Sequence, residues 1–274
     1  MLPTNAIGWV GRVAIAIFLA APLVAADAPL FPVPLHFVRR YEDPIANSTT
    51  EVDEYLTGNK IITIRGAKTA IADYERHELI EIDRAASTYS VASFDDIAKA
   101  HALADRPSTT PTRGVQSNAS RETWTITPLG MRATKTGRNA DSFEVATSSV
   151  KLEVSVDREI TLTRSALDAV TGSGYPNNPN DQEDALARAC ARSDVRAEGA
   201  TAGTYGLPLD QSITIDTGSK SSLVIRNSIV KITNELPSPE LLAIPAGAAL
   251  VESRAVRMVK TLREAEQGKQ IAKP

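Results

Sequence analysis

The stretch Val150-Lys151-Leu152-Glu153-Val154-Ser155-Val156-Asp157 puts every aliphatic side chain on one parity and every polar one on the other. A β-strand sends successive side chains to opposite faces, so strict alternation describes a strand with one face on a core and one in water. A helix would scatter the same aliphatic residues around its circumference. The period of two recurs at Ile62 and Ile64, Ile80 and Ile82, Tyr89 and Val91, Trp124 and Ile126, Phe143 and Val145, and Ile213 and Ile215. Repeated this often, it commits the chain to a mainly β fold with few helices.

The connections between these runs are short. Gly58-Asn59 separates residues 51–57 from 60–65, and such a pair supplies the positive φ of a tight hairpin. Gly66, Asp73-Tyr74-Glu75-Arg76, residues 83–86 and Asp216-Thr217-Gly218-Ser219 punctuate the later runs. Turns of this length join antiparallel neighbours and leave no room for a crossover helix, which predicts an antiparallel meander. Ser93, followed by Asp95 and Asp96, caps a helix predicted to end near Leu103, before Pro107. Asp181 caps a second one, with Leu186, Ala189 and Cys190 on one face, and residues 160–170 are expected to be helical. The Ser/Thr/Pro-rich residues 105–119 form a long loop inside a single domain spanning 27–258, and residues 259–274 a charged, exposed tail.

Residues 1–26 have the order of parts of an export signal. Arg12 is the sole charge before Asp27, an apolar stretch runs from Val13 to Ala21, Pro22 breaks it, and Val24-Ala25-Ala26 offers small or modest residues to a peptidase. Cleavage is expected between Ala26 and Asp27, with a periplasmic or secreted product. Crossing a bilayer takes about 20 apolar residues, more than this segment supplies, and no later segment does better. The only cysteine, Cys190, lies far from that position, so no N-terminal lipid anchor is expected. Loss of Arg12 moves the formal charge from −3 to −4, and only 5% of residues are aromatic. Neither the mild acidity nor the scarcity of stacking groups suits a nucleic-acid partner.

The chemistry-bearing residues form no persuasive catalytic set. Asp216-Thr217-Gly218 matches one loop of an aspartic protease, but the shared-proton dyad needs a second such loop and the chain has none. A hairpin turn accounts for it. His36, His77 and His101 stand singly, without metal-ligand spacing, and read as surface residues. No Gly-x-Ser-x-Gly elbow is present. Asp181-Gln182-Glu183-Asp184 lacks the glycine and closing glutamate of a calcium loop and reads as a helix start. Cys190 reads as a small buried apolar residue. No enzymatic activity, metal or cofactor is expected.

Two groups of segments carry a family likeness. The first runs through Glu54-Tyr55-Leu56-Thr57-Gly58-Asn59-Lys60-Ile61, Ala70-Ile71-Ala72-Asp73, Leu79-Ile80-Glu81-Ile82-Asp83 and Thr88-Tyr89-Ser90-Val91-Ala92-Ser93-Phe94-Asp95-Asp96. The second is Leu207-Pro208-Leu209 and Leu236-Pro237-Ser238-Pro239-Glu240-Leu241-Leu242-Ala243-Ile244-Pro245-Ala246-Gly247. In order of elements they resemble secreted bacterial proteins of the LolA/LolB lipoprotein-carrier type. Leu242 stands where those proteins more often have an aromatic, and Ala248 where they often have Tyr. The resemblance implies a strongly curved antiparallel sheet, an incomplete barrel, with helices covering its concave face. It further implies an apolar hollow that holds a lipid or another apolar ligand. Ile62, Ile64, Ile80, Ile82, Tyr89, Trp124, Ile126, Phe143, Leu152 and Val154 are the expected lining. The other expectation is a structural or assembly partner of the cell envelope, with a filled core and no ligand.

Overall fold

A computed structural model describes residues 28–104, 123–148, 150–171, 181–191, 204–216 and 222–271. The expected export signal, the loop at 105–119 and Thr217-Gly218-Ser219 lie outside the described residues. The first half is a meander of β1 (Phe31–Asp43), β2 (Ser48–Gly58), β3 (Lys60–Arg65), β4 (Lys68–Asp73), β5 (Glu78–Asp83) and β6 (Thr88–Ser93), closed by helix α1 (Phe94–Ala104). Then follow β7 (Thr125–Ala133), β8 (Asn139–Ala146), β9 (Val150–Leu162), α2 (Arg164–Thr171), α3 (Asp181–Cys190), β10 (Tyr205–Asp216) and β11 (Ser222–Thr233). The short α4 (Pro239–Leu242), the two-residue β12 (Ala249–Leu250) and α5 (Arg254–Ile271) complete the order. The strands form one open 12-stranded sheet in the order β12-β6-β5-β4-β3-β2-β1-β11-β10-β9-β8-β7. Every pairing is antiparallel except that of β12 with β6.

The turns follow from local chemistry. Thr57 faces Lys60 across Gly58-Asn59, and Gly58 has φ 57°, the left-handed conformation a two-residue hairpin asks of its first position. A second turn type recurs. Asp43, Asp73 and Asp83 each close a β-strand, accept backbone N–H groups of the following turn on Oδ1, and precede a residue of positive φ, respectively Asn47, His77 and Ser87. The carboxylate satisfies the turn amides, and the left-handed residue returns the chain into register. Around Asp73, burial would raise the carboxyl pKa, but N–H donors of Arg76 and Glu75 and the Lys60 ammonium outweigh it and hold it below the usual range.

Register sorts the side chains onto two faces. Leu56 pairs with Ile61, Ile61 with Ala72, Ala72 with Leu79 and Leu79 with Ala92, which places all of them on one side. That side continues through Phe37 in β1, Val145 in β8, and Leu152 and Val154 in β9 as the main core. Helices cover it. Ala166, Leu167 and Ala169 of α2 and Ala185, Leu186, Ala187, Ala189 and Cys190 of α3 are buried there, as are Phe94, Ile97 and Ala100 of α1, against which α5 packs. Arg158 pins the C-terminus of α3 to the sheet. Its guanidinium donates to the carbonyls of Cys190 at 2.5 Å, Ala191 at 2.8 Å and Ala189 at 3.2 Å, and its Nε to Asp141 at 3.1 Å. A cation among the last carbonyls of a helix is electrostatically favoured.

The opposite face carries Ile62, Ile71 and Ile82, with Tyr55, Ile64, Ile80 and Tyr89 beside them. It is roofed by the connection from β11, at the middle of the sheet, to β12 at its edge, with Leu242 packed on the isoleucines. Arg84 clamps this strap by donating from Nη2 to the carbonyls of Glu240 at 3.0 Å and Leu241 at 2.6 Å. The sheet is strongly curved. Lys135, in the turn after β7, reaches Glu42 of β1 at 2.8 Å, although β9, β10 and β11 separate β8 from β1. Four steps of about 4.8 Å would leave them roughly 19 Å apart on a flat sheet.

Several boundaries differ from expectation. Residues 160–170 divide: β9 continues to Leu162, and α2 starts after Thr163, whose hydroxyl accepts the Ala166 N–H at 3.1 Å. The segment read as an exposed charged tail belongs to α5, which runs to Ile271. The periodicity did not mark β1 at all, although it lies mid-sheet. Pro32 and Pro34 interrupt its start, where the ladder to β2 slips between Phe31 and Leu35. Gly206 sits at a similar irregularity between β10 and β9, and a Cβ there would lie 2.5 Å from Val156 Cγ1 and 2.6 Å from the Asp157 carbonyl.

Candidate functional site

The ten residues expected to line one hollow do not meet. Trp124, Ile126, Phe143, Leu152 and Val154 belong to or pack against the helix-covered core, whereas Ile62, Ile64, Ile80, Ile82 and Tyr89 lie on the opposite face beneath the strap. In β3 and β5 the residues that do face the helix side are their neighbours, Ile61 and Leu79. Leu152 and Val154 face the right way but are packed to 2% and 1% exposure, which leaves no lining surface. The reason is the period itself. A strand covered on both faces alternates between two apolar sets, and a shift of one residue exchanges them.

Helix α2 lies across the helix-covered face, and a cavity opens at each of its ends. At the N-terminal end, a cavity of about 830 Å³ is walled by Leu30, Phe31, Leu35, Ile160, Leu162 and Ile232, with Arg138, Glu159 and Arg164 at its rim. Phe31 and Leu162 are buried within the main core, so this is an extension of the core rather than a surface dimple. At the other end, a cavity of about 340 Å³ lies between Ala169, Val170 and Thr171 of α2 and the strands β1 to β5, β10 and β11. Both volumes fall in the range of about 300–1,000 Å³ typical of small-molecule sites.

The smaller cavity has two unlike walls. Leu56, Ile61, Ala72 and Leu79 form the apolar one. On the other, Arg39 donates from Nε to Glu54 Oε2 at 2.8 Å and from Nη1 to Asn227 Oδ1 at 3.4 Å, and Asn227 Nδ2 donates to Gln211 Oε1 at 3.1 Å. Arg39 is buried and Glu54 half-buried, with side chains 6% and 14% exposed. Tyr41 is partly open to solvent, but its hydroxyl donates to Glu54 Oε1 at 3.1 Å. Loss of water around that hydroxyl and the Glu54 charge push its pKa up to about 12, against the opposing pull of Arg39. Sequence reading missed this cluster because Arg39 and Tyr41 lie in β1, which the alternation does not mark, and a polar strand residue such as Glu54 reads as solvent-facing until its buried partner is known.

The remaining chemistry-bearing residues serve the fold. His36, read as a surface residue, is 5% exposed. It stacks on Tyr55 at 4.1 Å and ties β1 to β2 and β11, with Nε2 2.8 Å from Asp53 Oδ1 and Nδ1 3.1 Å from Thr233 Oγ1. His77 holds its turn with φ 54° and meets the edge of Phe94. Cys190 is buried, and desolvation pushes its thiol up to about 12 despite the nearby Arg158, which disfavours the reactive thiolate. Asp216 ends β10. Among the described residues no group of His, Cys, Asp and Glu is placed to hold a metal ion, and no helix is long and apolar enough to cross a membrane.

No family model matches the chain, and no curated protein matches it. Chains of solved structures do match. A structure of PNGF-II in space group C2 is 10% identical, with a TM-score of 0.36, and the match covers 84% of this chain and 33% of that one. A second PNGF-II structure, in P21, gives 7% identity, the same TM-score of 0.36, and 85% and 34% coverage. The protein spans about a third of the length of these chains, a likeness too loose to assign a fold family or an activity.

Proposed function

We propose that the protein is a non-enzymatic, extracytoplasmic binding module that holds a lipid or another apolar ligand in the larger cavity of its curved sheet. The observation that carries this reading is the cavity of about 830 Å³, whose lining is predominantly apolar, with Thr161, Thr163, Thr204 and Asn234 among the polar groups and Arg138, Glu159 and Arg164 the charged ones. An apolar ligand entering it would exchange water for the aliphatic side chains of Leu30, Leu35, Ile160, Leu162 and Ile232, which is the favourable direction for burial. The rim charges are already paired: Arg138 with Asp157 and Glu159, and Arg164 with Asp168. The apolar stretch from Val13 to Ala21 and the small residues before Asp27 support export, and the likeness to lipoprotein carriers supports an acyl-type cargo.

Titration with a fluorescent fatty-acid analogue tests this. Saturable one-to-one binding that unlabelled lipid displaces is expected. Ile160→Trp, at a half-buried position on the cavity wall, is expected to weaken it at least tenfold while the circular-dichroism spectrum is kept. Non-saturating binding, or an identical titration of the variant, would count against the proposal. The filled middle of the same face favours a second reading. Phe37, Leu167, Leu207 and Leu209 are 0–1% exposed there, as in a structural or assembly partner of the envelope with a dry core. Crosslinking in cells that captures one stable partner, combined with a failed lipid titration, would favour that alternative.

A further inference from the structure

From the unlike walls of the smaller cavity, we propose that it is a second binding site, one that takes the neutral hydroxyl- or carbonyl-bearing head of a small amphiphile beside a short hydrocarbon segment. The site lies at the opposite end of α2 from the larger cavity and goes beyond the reading above, since it does not require that cavity to be occupied.

Charge decides the class of head group. Arg39 is buried, Glu54 is half-buried, and they lie 2.8 Å apart, so their formal charges cancel inside the site. A carboxylate or phosphate head would add an uncompensated negative charge beside Glu54, and an ammonium head a positive one beside Arg39. Either would lose its hydration with no counter-charge left to replace it, a penalty that commonly exceeds the attraction gained. A neutral head meets no such penalty.

Hydrogen-bonding capacity decides what the head must offer. Arg39 spends Nε on Glu54 and Nη1 on Asn227. Gln211 receives the Asn227 amide on Oε1. Among the described residues, Arg39 Nη2 and Gln211 Nε2 have no acceptor, and both residues line the cavity. Each carries two N–H donors. The site is therefore rich in donors, suited to an ester or amide carbonyl or to hydroxyl oxygens. Across the cavity, Leu56, Ile61 and Leu79 offer an apolar wall with no polar side-chain atom. About 340 Å³ is the liquid-phase share of roughly eleven waters, enough for such a head and a short chain.

The test compares monooctanoylglycerol with sodium octanoate by isothermal titration of folded Ile160→Trp, in which the larger cavity is filled, at neutral pH. The neutral probe is expected to saturate one site and to bind at least tenfold more tightly than the anion. Gln211→Leu keeps the volume and removes donors, and is expected to weaken the neutral probe about tenfold. Ala70→Phe, at a half-buried position on the cavity wall, is expected to abolish binding. Because Ile160→Trp fills the larger cavity, the isotherm reports on the smaller one alone. That separates this site from the larger one, since a failure of the fatty-acid titration there would not alter these outcomes. Equal or tighter binding of octanoate would overturn the proposal. So would unchanged binding when Gln211→Leu is added to Ile160→Trp, or no binding of monooctanoylglycerol to Ile160→Trp itself.

Discussion

Replacing Phe37 with alanine is expected to destabilise the protein by about 3–5 kcal/mol, the range for truncating a buried phenylalanine. Phe37 is 0% exposed and lies in β1, paired with Glu54 of β2 on one side and Ile232 of β11 on the other. It therefore sits where the N-terminal meander joins the C-terminal strands. The neighbours are held by ladders on both sides, so the cavity cannot collapse easily, which favours the upper part of the range. For a chain of this size that corresponds to a fall in Tm of roughly 10 °C. Val33→Ala in the same strand is the control, because Val33 is 59% exposed. Thermal unfolding followed by circular dichroism reads both. A Phe37→Ala variant that melts with the wild type would mean that β1 does not occupy the middle of the sheet.

The second large effect is electrostatic. Asp157 is 1% exposed, accepts the Glu159 N–H on Oδ1 at 2.8 Å, and directs Oδ2 at Arg138 Nε. Arg138→Ala would strand a buried carboxylate, and breaking such a pair from one side costs about 3–5 kcal/mol. The Arg138 side chain is 36% exposed, so water can reach part of the vacated space, and the lower end, about 3 kcal/mol, is expected. Adding Asp157→Asn should recover much of the loss. The amide oxygen still accepts from Glu159, and no charge remains to be solvated. Urea midpoints of the wild type, both single variants and the double variant give the coupling. An Arg138→Ala variant as stable as the wild type would show that Asp157 is solvated rather than held by Arg138.

Much of the architecture was legible because its signals are local. The alternation through residues 150–157 and the Gly58-Asn59 pair name a strand and a hairpin within a few residues, and both are found. The cap at Ser93 is equally local: its Oγ accepts the Asp96 N–H at 3.1 Å, and α1 starts at Phe94. What local pattern did not supply was which parity faces the helices. Ile61 and Ile62 are adjacent and both buried, one under helices and the other under the strap carrying Leu242. Only the path of the chain after β11 reveals that the second face is covered. The polar wall of Arg39, Glu54, Gln211 and Asn227 was hidden for the complementary reason. Its members come from β1, β2, β10 and β11, and a polar residue in an alternating strand reads as solvent-facing until a buried partner from another strand is known.

These placements alter what the sheet offers a ligand. Where the resemblance implies a single hollow, a cavity opens at each end of α2, and neither is lined by the ten residues expected to do so. Native mass spectrometry of the protein purified from its own cells, without added lipid or detergent, reads directly whether a cavity is occupied. A population carrying one extra mass is expected, which organic extraction identifies as a lipid or comparable apolar compound and which Ile160→Trp depletes. A homogeneous apo mass in both proteins, with no rise in Tm on adding lipids, would contradict the proposed binding of an apolar ligand.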